Sequence, residues 1–193
     1  GGRGQTSTAL SFGEQNGAEA YLVGEENKGW TYAKYLLEFE RGNTYSPSLY
    51  RGIEQLKSIG KETPIGGGLN LGDDADFLNK LNQCEIEVQA LEFVELRIFS
   101  ALSAGQRVGP ESSILKCRGT ELQQKIQELS VEAIGYWSSP FIYDTFANIN
   151  EPSIGPDYAM TIAPSYFNGR KTTIYAGSNE IQRNIISKAV LGL

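Results

Sequence analysis

Histidine is absent from all 193 residues of this sequence, and cysteine occurs only twice. Without histidine there can be no Ser-His-Asp or Cys-His triad, no HExxH zinc site and no histidine general base. Two cysteines in a chain of this length do not form a disulfide framework, so Cys84 and Cys117 are expected to be reduced thiols. Any proton transfer must therefore use Glu, Asp, Lys, Tyr or a bound cofactor.

Long apolar runs and clusters of basic residues are also missing. No segment is long and apolar enough to span a bilayer. The opening GGRGQTST has no initiator Met and lacks the charged and apolar regions of a signal peptide. The net charge is −6 and no Lys/Arg cluster stands out, which argues against nucleic acid or an anionic membrane as a partner. We expect a soluble, cytoplasmic protein, and we expect this sequence to be a piece of a longer chain.

The first 26 residues are Gly-rich and have the composition of β-strands. TSTALSF and AEAYLV resemble two strands joined by a GEQNG turn. Because a lone hairpin is marginal in water, this region is predicted to be the remnant of a β domain. Residues 27–193 are predicted to form a separate helical domain.

From Trp30 onward the apolar periodicity is that of helices. Trp30, Ala33, Leu37 and Glu40 share one face of the first predicted helix, which Pro47 is expected to interrupt. Three further helices are predicted beyond Pro47, each with one apolar face that should be buried. The second of them is expected to start at a cap by Asp73, Asp74 or Asp76, and the third after Pro110. The three faces are, in order, Leu49, Ile53 and Leu56; Phe77, Leu81, Cys84, Val88, Leu91, Val94, Ile98 and Leu102; and Leu115, Leu122, Ile126, Leu129 and Ala133.

Two connections separate these helices from one another and from the chain end. GKETPIGGGLNLGDD is predicted to be a flexible connection, since no Gly-Lys-Ser/Thr follows its glycines. A second connection runs from Tyr136 to about Pro164. Long helices with mostly short connections predict an all-α fold, an antiparallel four-helix bundle.

The closing stretch KTTIYAGSNEIQRNII predicts an extended approach, a tight Gly turn and an amphipathic helix. The helix should begin at Ser178 or Asn179. Asn179 and Gln182 have the spacing of a capping box. One face of this helix carries Ile181, Ile185 and Ala189.

Two motifs around the helical part resemble the acyl-CoA dehydrogenase family. YLVGEENKGW precedes a helix containing LLEFERG, and the chain closes with IYAGSNEIQRNIISKAVLGL. The resemblance covers roughly residues 20–193. It implies a C-terminal four-helix bundle, preceded in the family by an N-terminal helical domain and a middle β domain of which only the last strands are present here.

The resemblance implies FAD-dependent α,β-dehydrogenation of an acyl-CoA thioester to a trans-2-enoyl-CoA in fatty acid metabolism. Family members remove the α-proton with a carboxylate, pass the β-hydrogen as hydride to FAD and hand the electrons to an electron-transfer flavoprotein. A homo- or hetero-oligomer through the helical bundle is also expected. The chain by itself is expected to be inactive, nearly free of flavin and self-associating.

The turn before the last helix is the expected ligand site. By the resemblance, the N–H of Ala176 donates to the thioester oxygen, where enolate-like charge develops, and Tyr175 and Gly177 lie beside the substrate. Glycine lets the backbone approach a ligand closely. The residues expected to contact FAD are Ser178, Asn179 and Glu180.

Ala176 occupies the position where many family members carry the catalytic glutamate. A subset of the family places the base on the first bundle helix, directly before an arginine, and this chain has Glu40-Arg41 there. Helical spacing independently puts Glu40 on the face of Trp30, where burial would raise the pKa of a carboxylate. Glu40 is the predicted base, Glu38 lies on the CoA side, and Arg41 shapes helix packing and the local field.

Other functions stay open because the sequence departs from the family pattern. GKETPIGGGLNLGDDADF lacks the Arg-x-x-Phe-Gly stretch that reaches the FAD of a neighbouring subunit, and AIGYWSSPF replaces a Gly-Gly-x-Gly stretch. The main alternative is a non-catalytic subunit of a heteromeric dehydrogenase that supplies oligomer and flavin contacts. Glu40 would then be a surface acid paired with Lys34 or Arg41. A helical interaction module without flavin is the third alternative.

Overall fold

The computed structural model describes residues 24–25, 27–40, 44–106, 109–140 and 154–193, with only the backbone described at residues 37–40 and 111. The chain divides into two compact units, Gly1–Glu40 and Arg41–Leu193. The predicted β remnant lies almost wholly outside the described residues.

In the first unit, the structure describes helix α1, Gly29–Glu40. The hydroxyl of Tyr32 accepts a hydrogen bond from the backbone N–H of Glu25 at 2.9 Å, which ties the preceding turn to the helix. The face predicted to be buried is open at its start, because Trp30 is 71% exposed. The side chain of Glu40 lies outside the described residues, so its burial stays a prediction.

The second unit is helical apart from one short hairpin, as far as the structure describes it. Its helices are α2 (Ser46–Glu62), α3 (Ala75–Ser103), α4 (Ser113–Ile134), α5 (Ile162–Gly169) and α6 (Asn179–Ala189). Helix α4 is central, since it contacts α2, α3, α5 and α6. The predicted all-α fold is confirmed. No helix in the described part of the chain combines the length and apolarity needed to cross a membrane.

Helix α2 starts at Ser46, one residue before the proline that was expected to interrupt the first helix. Pro47 lies in its first turn, where the missing N–H removes no helix hydrogen bond. The carboxylate of Glu95 on α3 accepts hydrogen bonds from the backbone N–H groups of Tyr45 and Ser46 at 2.6 and 3.1 Å. The Ser46 hydroxyl donates a third bond to the same carboxylate. A buried acid on a neighbouring helix therefore caps α2.

The core forms where α2, α3 and α4 meet. Asp74 accepts a hydrogen bond from the N–H of Phe77 at 2.8 Å and starts α3, which confirms one of the three predicted caps. The predicted faces of the three helices are buried, with Val94 and Leu102 only partly so. Cys84 and Cys117 are buried free thiols, and burial raises the pKa of both.

The two connections differ from their predictions. The glycine-rich segment forms an antiparallel hairpin of β1 (Pro64–Gly66) and β2 (Leu69–Asn70), with left-handed Gly66, Gly67 and Gly68 making the turn. The second connection ends earlier than predicted, because α5 begins at Ile162. Eight residues with Pro164 in the first turn are too few to show a helical period clearly.

Candidate functional site

A tight turn with unusual backbone geometry precedes α6. Ala176 has φ +54° and Gly177 has φ +82°. Left-handed backbone is uncommon for a residue other than glycine and persists only where surrounding contacts hold it. The φ of residue 177 favours glycine, and a Cβ there would lie 2.5 Å from Nε2 of Gln182, so the end of that side chain would have to move. The expected substrate-binding residues Tyr175, Ala176 and Gly177 thus form a strained turn that is exposed at the surface of this chain.

The approach to this turn is helical. Residues Arg170–Thr173 form a 3-10 turn, so the predicted extended approach is wrong. The hydroxyl of Thr172 donates to the backbone carbonyl of Gly169 at 2.8 Å and stabilises this compact form. Threonine and tyrosine favour strands on average, but here a local hydrogen bond and packing against α4 decide the conformation.

Helix α6 begins at Asn179, one of the two predicted starting residues, and Ser178 is its N-cap residue. The Ser178 side chain itself makes no capping hydrogen bond to the first turn. Glu180 is exposed, and hydrogen bonds from its own backbone N–H and from the Ser178 hydroxyl hold the pKa of its carboxyl below the usual value. The helix start therefore offers N–H donors together with an ionised carboxylate.

Asn179 faces α4. It is 3% exposed, and its Oδ1 accepts a hydrogen bond from Nζ of Lys116 at 3.1 Å. Its Nδ2 donates to Oγ1 of Thr120 at 3.2 Å. The predicted capping box of Asn179 and Gln182 is therefore wrong. The side chain of Asn179 is hydrogen-bonded to α4 and is not available to cap the start of α6.

Three polar residues on α4, spaced four apart, hold the segment that leads into the turn. Lys116 donates from Nζ to the carbonyl of Thr172 at 2.7 Å. Gln124 donates from Nε2 to the carbonyls of Gly169 and Arg170, both at 3.2 Å. We call this contact the polar seam, formed by Lys116, Thr120, Gln124, Thr172 and Asn179.

The polar seam was not predicted from the sequence. Polar residues at i, i+4 and i+8 usually form the solvated face of a helix, and Lys116, Thr120 and Gln124 were not distinguished from such a face. Thr120 is only 2% exposed, and burial lowers the pKa of Lys116. One feature of the sequence could have indicated that the seam is buried: Lys116 and Thr120 lie on α4 close to Leu115 and Leu122, which are both in the core.

Gln182 is a second buried polar residue beneath the turn. It is 7% exposed, and its Oε1 has no hydrogen-bond partner within the described part of the chain. It lies on the inward side of α6, whereas Ile181 on the predicted apolar face is 53% exposed. The inward side of α6 is therefore polar, and the apolar side is open.

The predicted site residues fall into two groups. Tyr175 to Glu180 lie together at the start of α6 in the second unit. Glu38 and Glu40 belong to α1 in the first unit, with side chains outside the described residues, and Arg41 is also outside them. The predicted base stays a prediction.

A groove of about 240 Å³ lies between α2, α4 and α5. Its polar lining includes Arg51, Gln55 and Gln127. None of the predicted site residues lines it. The groove therefore does not replace the turn before α6 as the candidate site.

Comparisons with known proteins identify the family. The family model of the acyl-CoA dehydrogenase C-terminal domain matches residues 27–191, and the chain belongs to this family of flavin-dependent oxidoreductases. The acyl-CoA dehydrogenase FadE26 of Mycobacterium tuberculosis is 26% identical, over 98% of this chain and 46% of that protein. The chain thus spans about half the length of this curated relative.

Solved structures show the same fold. A chain of the ChsE4-ChsE5 complex from Mycobacterium tuberculosis aligns with a TM-score of 0.68 and 26% identity, over 89% of this chain and 42% of that one. Butyryl-CoA dehydrogenase from Megasphaera elsdenii aligns with a TM-score of 0.67 and 17% identity, over 87% and 40%. The second match is informative about the fold alone.

Proposed function

We propose that this chain supplies the C-terminal bundle of an FAD-dependent acyl-CoA dehydrogenase, which converts an acyl-CoA thioester to a trans-2-enoyl-CoA in the cytoplasm. The observation that carries the proposal is the left-handed Ala176–Gly177 turn at the start of α6. It occurs in a chain that the family model matches over residues 27–191.

The main-chain N–H of Ala176 is proposed to donate a hydrogen bond to the thioester carbonyl oxygen. When the α-proton leaves, negative charge moves onto this oxygen, and a donor fixed in advance stabilises it without reorganisation. A turn held in one backbone conformation suits this role, because the Ala176 N–H then points in a fixed direction. Loss of one such donor typically lowers kcat by about 10²–10³-fold.

Glu40 is proposed as the base that accepts the α-proton. Alanine at position 176 has a methyl group and cannot accept a proton, so the carboxylate must come from another segment. Arg41 follows Glu40 directly and adds positive charge, and Glu38 is proposed to lie on the CoA side. FAD, when bound, accepts the β-hydrogen with its electron pair, and the electrons pass to an electron-transfer flavoprotein.

The start of α6 is proposed to bind the ADP part of FAD. The N–H groups of its first turn have no side-chain cap from Ser178, and such groups favour anionic or polar ligands. The Ser178 hydroxyl and the Glu180 carboxylate are proposed to contact ribose or adenine groups, since an ionised acid accepts hydrogen bonds. Asn179 is proposed to contribute through its main chain, because its side chain is bound to Lys116.

The test is Glu40→Gln in the complete protein loaded with FAD. Removal of a general base typically lowers turnover by about 10²–10⁴-fold, whereas FAD content and KM should change little. Glu54→Gln, an exposed acid on α2, is the matched control and should keep turnover within a few-fold. Adding Ala176→Glu to Glu40→Gln should restore some activity. Wild-type turnover in Glu40→Gln would contradict the assignment of the base.

A non-catalytic subunit of a heteromeric dehydrogenase is the second candidate function. Ala176 favours it, since it leaves the usual base position empty, and the similar ChsE4-ChsE5 complex contains two differently named chains. This function would be supported if Glu40→Gln kept wild-type turnover while activity required a second chain with its own carboxylate.

Exposed apolar side chains support the proposed oligomer, homo- or heteromeric, through the bundle. On α3, Ile86, Phe93 and Leu96 are 60, 61 and 55% exposed. On and after α6, Ile181 and Leu191 are 53 and 62% exposed. Apolar patches of this kind commonly mark association surfaces.

A further inference from the structure

One ammonium group contacts both ends of the segment that contains the turn. Nζ of Lys116 lies 2.7 Å from the carbonyl oxygen of Thr172 and 3.1 Å from Oδ1 of Asn179. Thr172 precedes Ala176 by four residues, and Asn179 follows it by three. The two contacts therefore fix the distance between the points where the chain enters and leaves the turn.

The other members of the polar seam restrict the same segment. Thr120 bonds the amide of Asn179 at 3.2 Å, and Gln124 binds Oγ1 of Thr172 at 3.3 Å. Thr120, Thr172 and Asn179 are each no more than 3% exposed. Away from water, hydrogen bonds are strong and directional, so they specify one arrangement of the segment.

An apolar contact would hold α6 against α4 but would not select one backbone conformation. Hydrophobic burial is non-directional, and replacing buried ionic groups by apolar ones is often neutral or stabilising. A left-handed non-glycine residue needs contacts that over-determine it. The polar seam supplies such contacts on both sides of Ala176. Packing of α6 against α4 alone would not require them.

We propose that Lys116 is a positioning residue: by joining Thr172 to Asn179 it holds the Ala176–Gly177 turn in the conformation that directs the Ala176 N–H at the thioester oxygen. The inference rests on the proposed function for its second half. Its first half, control of the turn by Lys116, stands on the contacts of this chain alone. The two halves are tested separately.

The first test follows the turn directly by NMR in the 193-residue chain. In Lys116→Met, the NMR order parameters of the Ala176 and Gly177 amides should fall from the values of rigid backbone, about 0.85, toward those of flexible backbone, below about 0.6, because the segment is no longer held at both ends. Lys125→Met is the matched control, since Lys125 is a 42% exposed lysine on the same helix that pairs with Glu87. Wild-type behaviour of both amides in Lys116→Met would overturn the inference.

A second variant keeps this test decisive. Thr120→Val is nearly isosteric and keeps the charge of Lys116; between α4 and α6 it removes the bond to Asn179, and within α4 it removes the bonds to the carbonyls of Lys116 and Cys117. It should loosen the same two amides less strongly. If Lys116→Met does not fold and Thr120→Val leaves the turn as rigid as in wild type, the inference is overturned.

The second test measures polarisation of a bound thioester in the complete, FAD-loaded protein. Hexanoyl-CoA labelled with ¹³C at the thioester carbonyl is the probe, read by isotope-edited infrared difference spectroscopy. Its carbonyl stretch should move to lower frequency on binding wild type and return toward the free value in Lys116→Met. Since small misplacements of reacting groups cost up to about 10²-fold, kcat should fall by about 10- to 100-fold while KM changes little.

The two tests separate the failure of each idea. A carbonyl stretch that wild type does not shift contradicts the proposed function, even where the NMR test succeeds. A stretch that wild type shifts and Lys116→Met leaves unchanged overturns the positioning role while the proposed function stands. Equal losses of kcat in Lys116→Met and Lys125→Met also overturn it.

Discussion

Helix α4 has two buried sides of opposite chemistry. Toward α2 and α3 it presents apolar residues such as Leu115 and Leu122, each 1% exposed. Toward the segment that leads into α6 it presents the polar seam, with Lys116 and Thr120 at its centre. The apolar side stabilises the fold through area removed from water, which any well-shaped apolar residue can supply. The polar side contributes less free energy to folding, but it specifies the conformation of the segment more closely, since each hydrogen bond needs a particular partner at a particular position.

The largest expected effect comes from breaking the apolar side. Leu122→Ala removes a fully buried side chain from the core, and such changes typically lower the free energy of unfolding by about 2–5 kcal/mol. Urea unfolding followed by circular dichroism measures the loss. Leu96→Ala on α3, where the leucine is 55% exposed, is the control and should change stability by less than about 0.5 kcal/mol. Equal effects would mean that the core is not centred on α4.

An intermediate effect is expected from breaking the polar seam. Asn179→Ala removes one buried hydrogen-bond partner from Lys116 and one from Thr120, and losing such bonds, one of them to a charged group, typically costs about 1–3 kcal/mol. Its loss should not add to that of Thr120→Val, because the two residues share a hydrogen bond, and a double-mutant cycle measures this coupling. Asn184→Ala, an exposed asparagine on the same helix, is the control. Full additivity would show that the seam is not a connected network.

The smallest effect concerns a third contact of α4, on the surface. Burial would raise the pKa of Glu87, but bonds from Lys125 and Gln83 and the charge of Arg118 outweigh it and hold the pKa below the usual value. The folded pKa lies below the unfolded one, so this stabilisation is present above about pH 4.3 and is lost as pH falls through the folded pKa. Glu87→Gln should flatten the fall of stability in acid.

The size of this change should be below about 1 kcal/mol, as is usual for pairs near the surface. Thermal unfolding between pH 3 and pH 7 measures it, and high salt should reduce the difference from wild type. The hypothesis fails if wild type and Glu87→Gln lose stability in parallel as the pH falls.

The parts of the fold that the sequence predicted are those with local causes. The break at Pro47, the cap by Asp74 and the start of α6 at Asn179 depend on residues within one turn of the helix end. The buried faces of α2, α3 and α4 follow from apolar spacing along each helix. Errors occurred where the local signal is short or ambiguous, as at α5 and at the 3-10 turn before Tyr175.

For the candidate site, the sequence and the family resemblance singled out the turn, its neighbours at the start of α6 and the pair Glu40-Arg41. The support beneath the turn was not predictable in this way. Lys116 is 56 residues from Thr172 and 63 residues from Asn179 along the chain. No local pattern states which of several lysines on amphipathic helices will meet a carbonyl so far away.

The sequence by itself determined the helical class of this protein, the apolar faces that build its core and the Tyr-Ala-Gly-Ser order of the turn. Only the tertiary structure decided that Ala176 takes a left-handed backbone and that α6 turns its polar side inward. The physical reason is the range of the forces involved. Apolar spacing acts along one helix, whereas a buried hydrogen bond exists only after the fold has brought a donor and an acceptor together away from water.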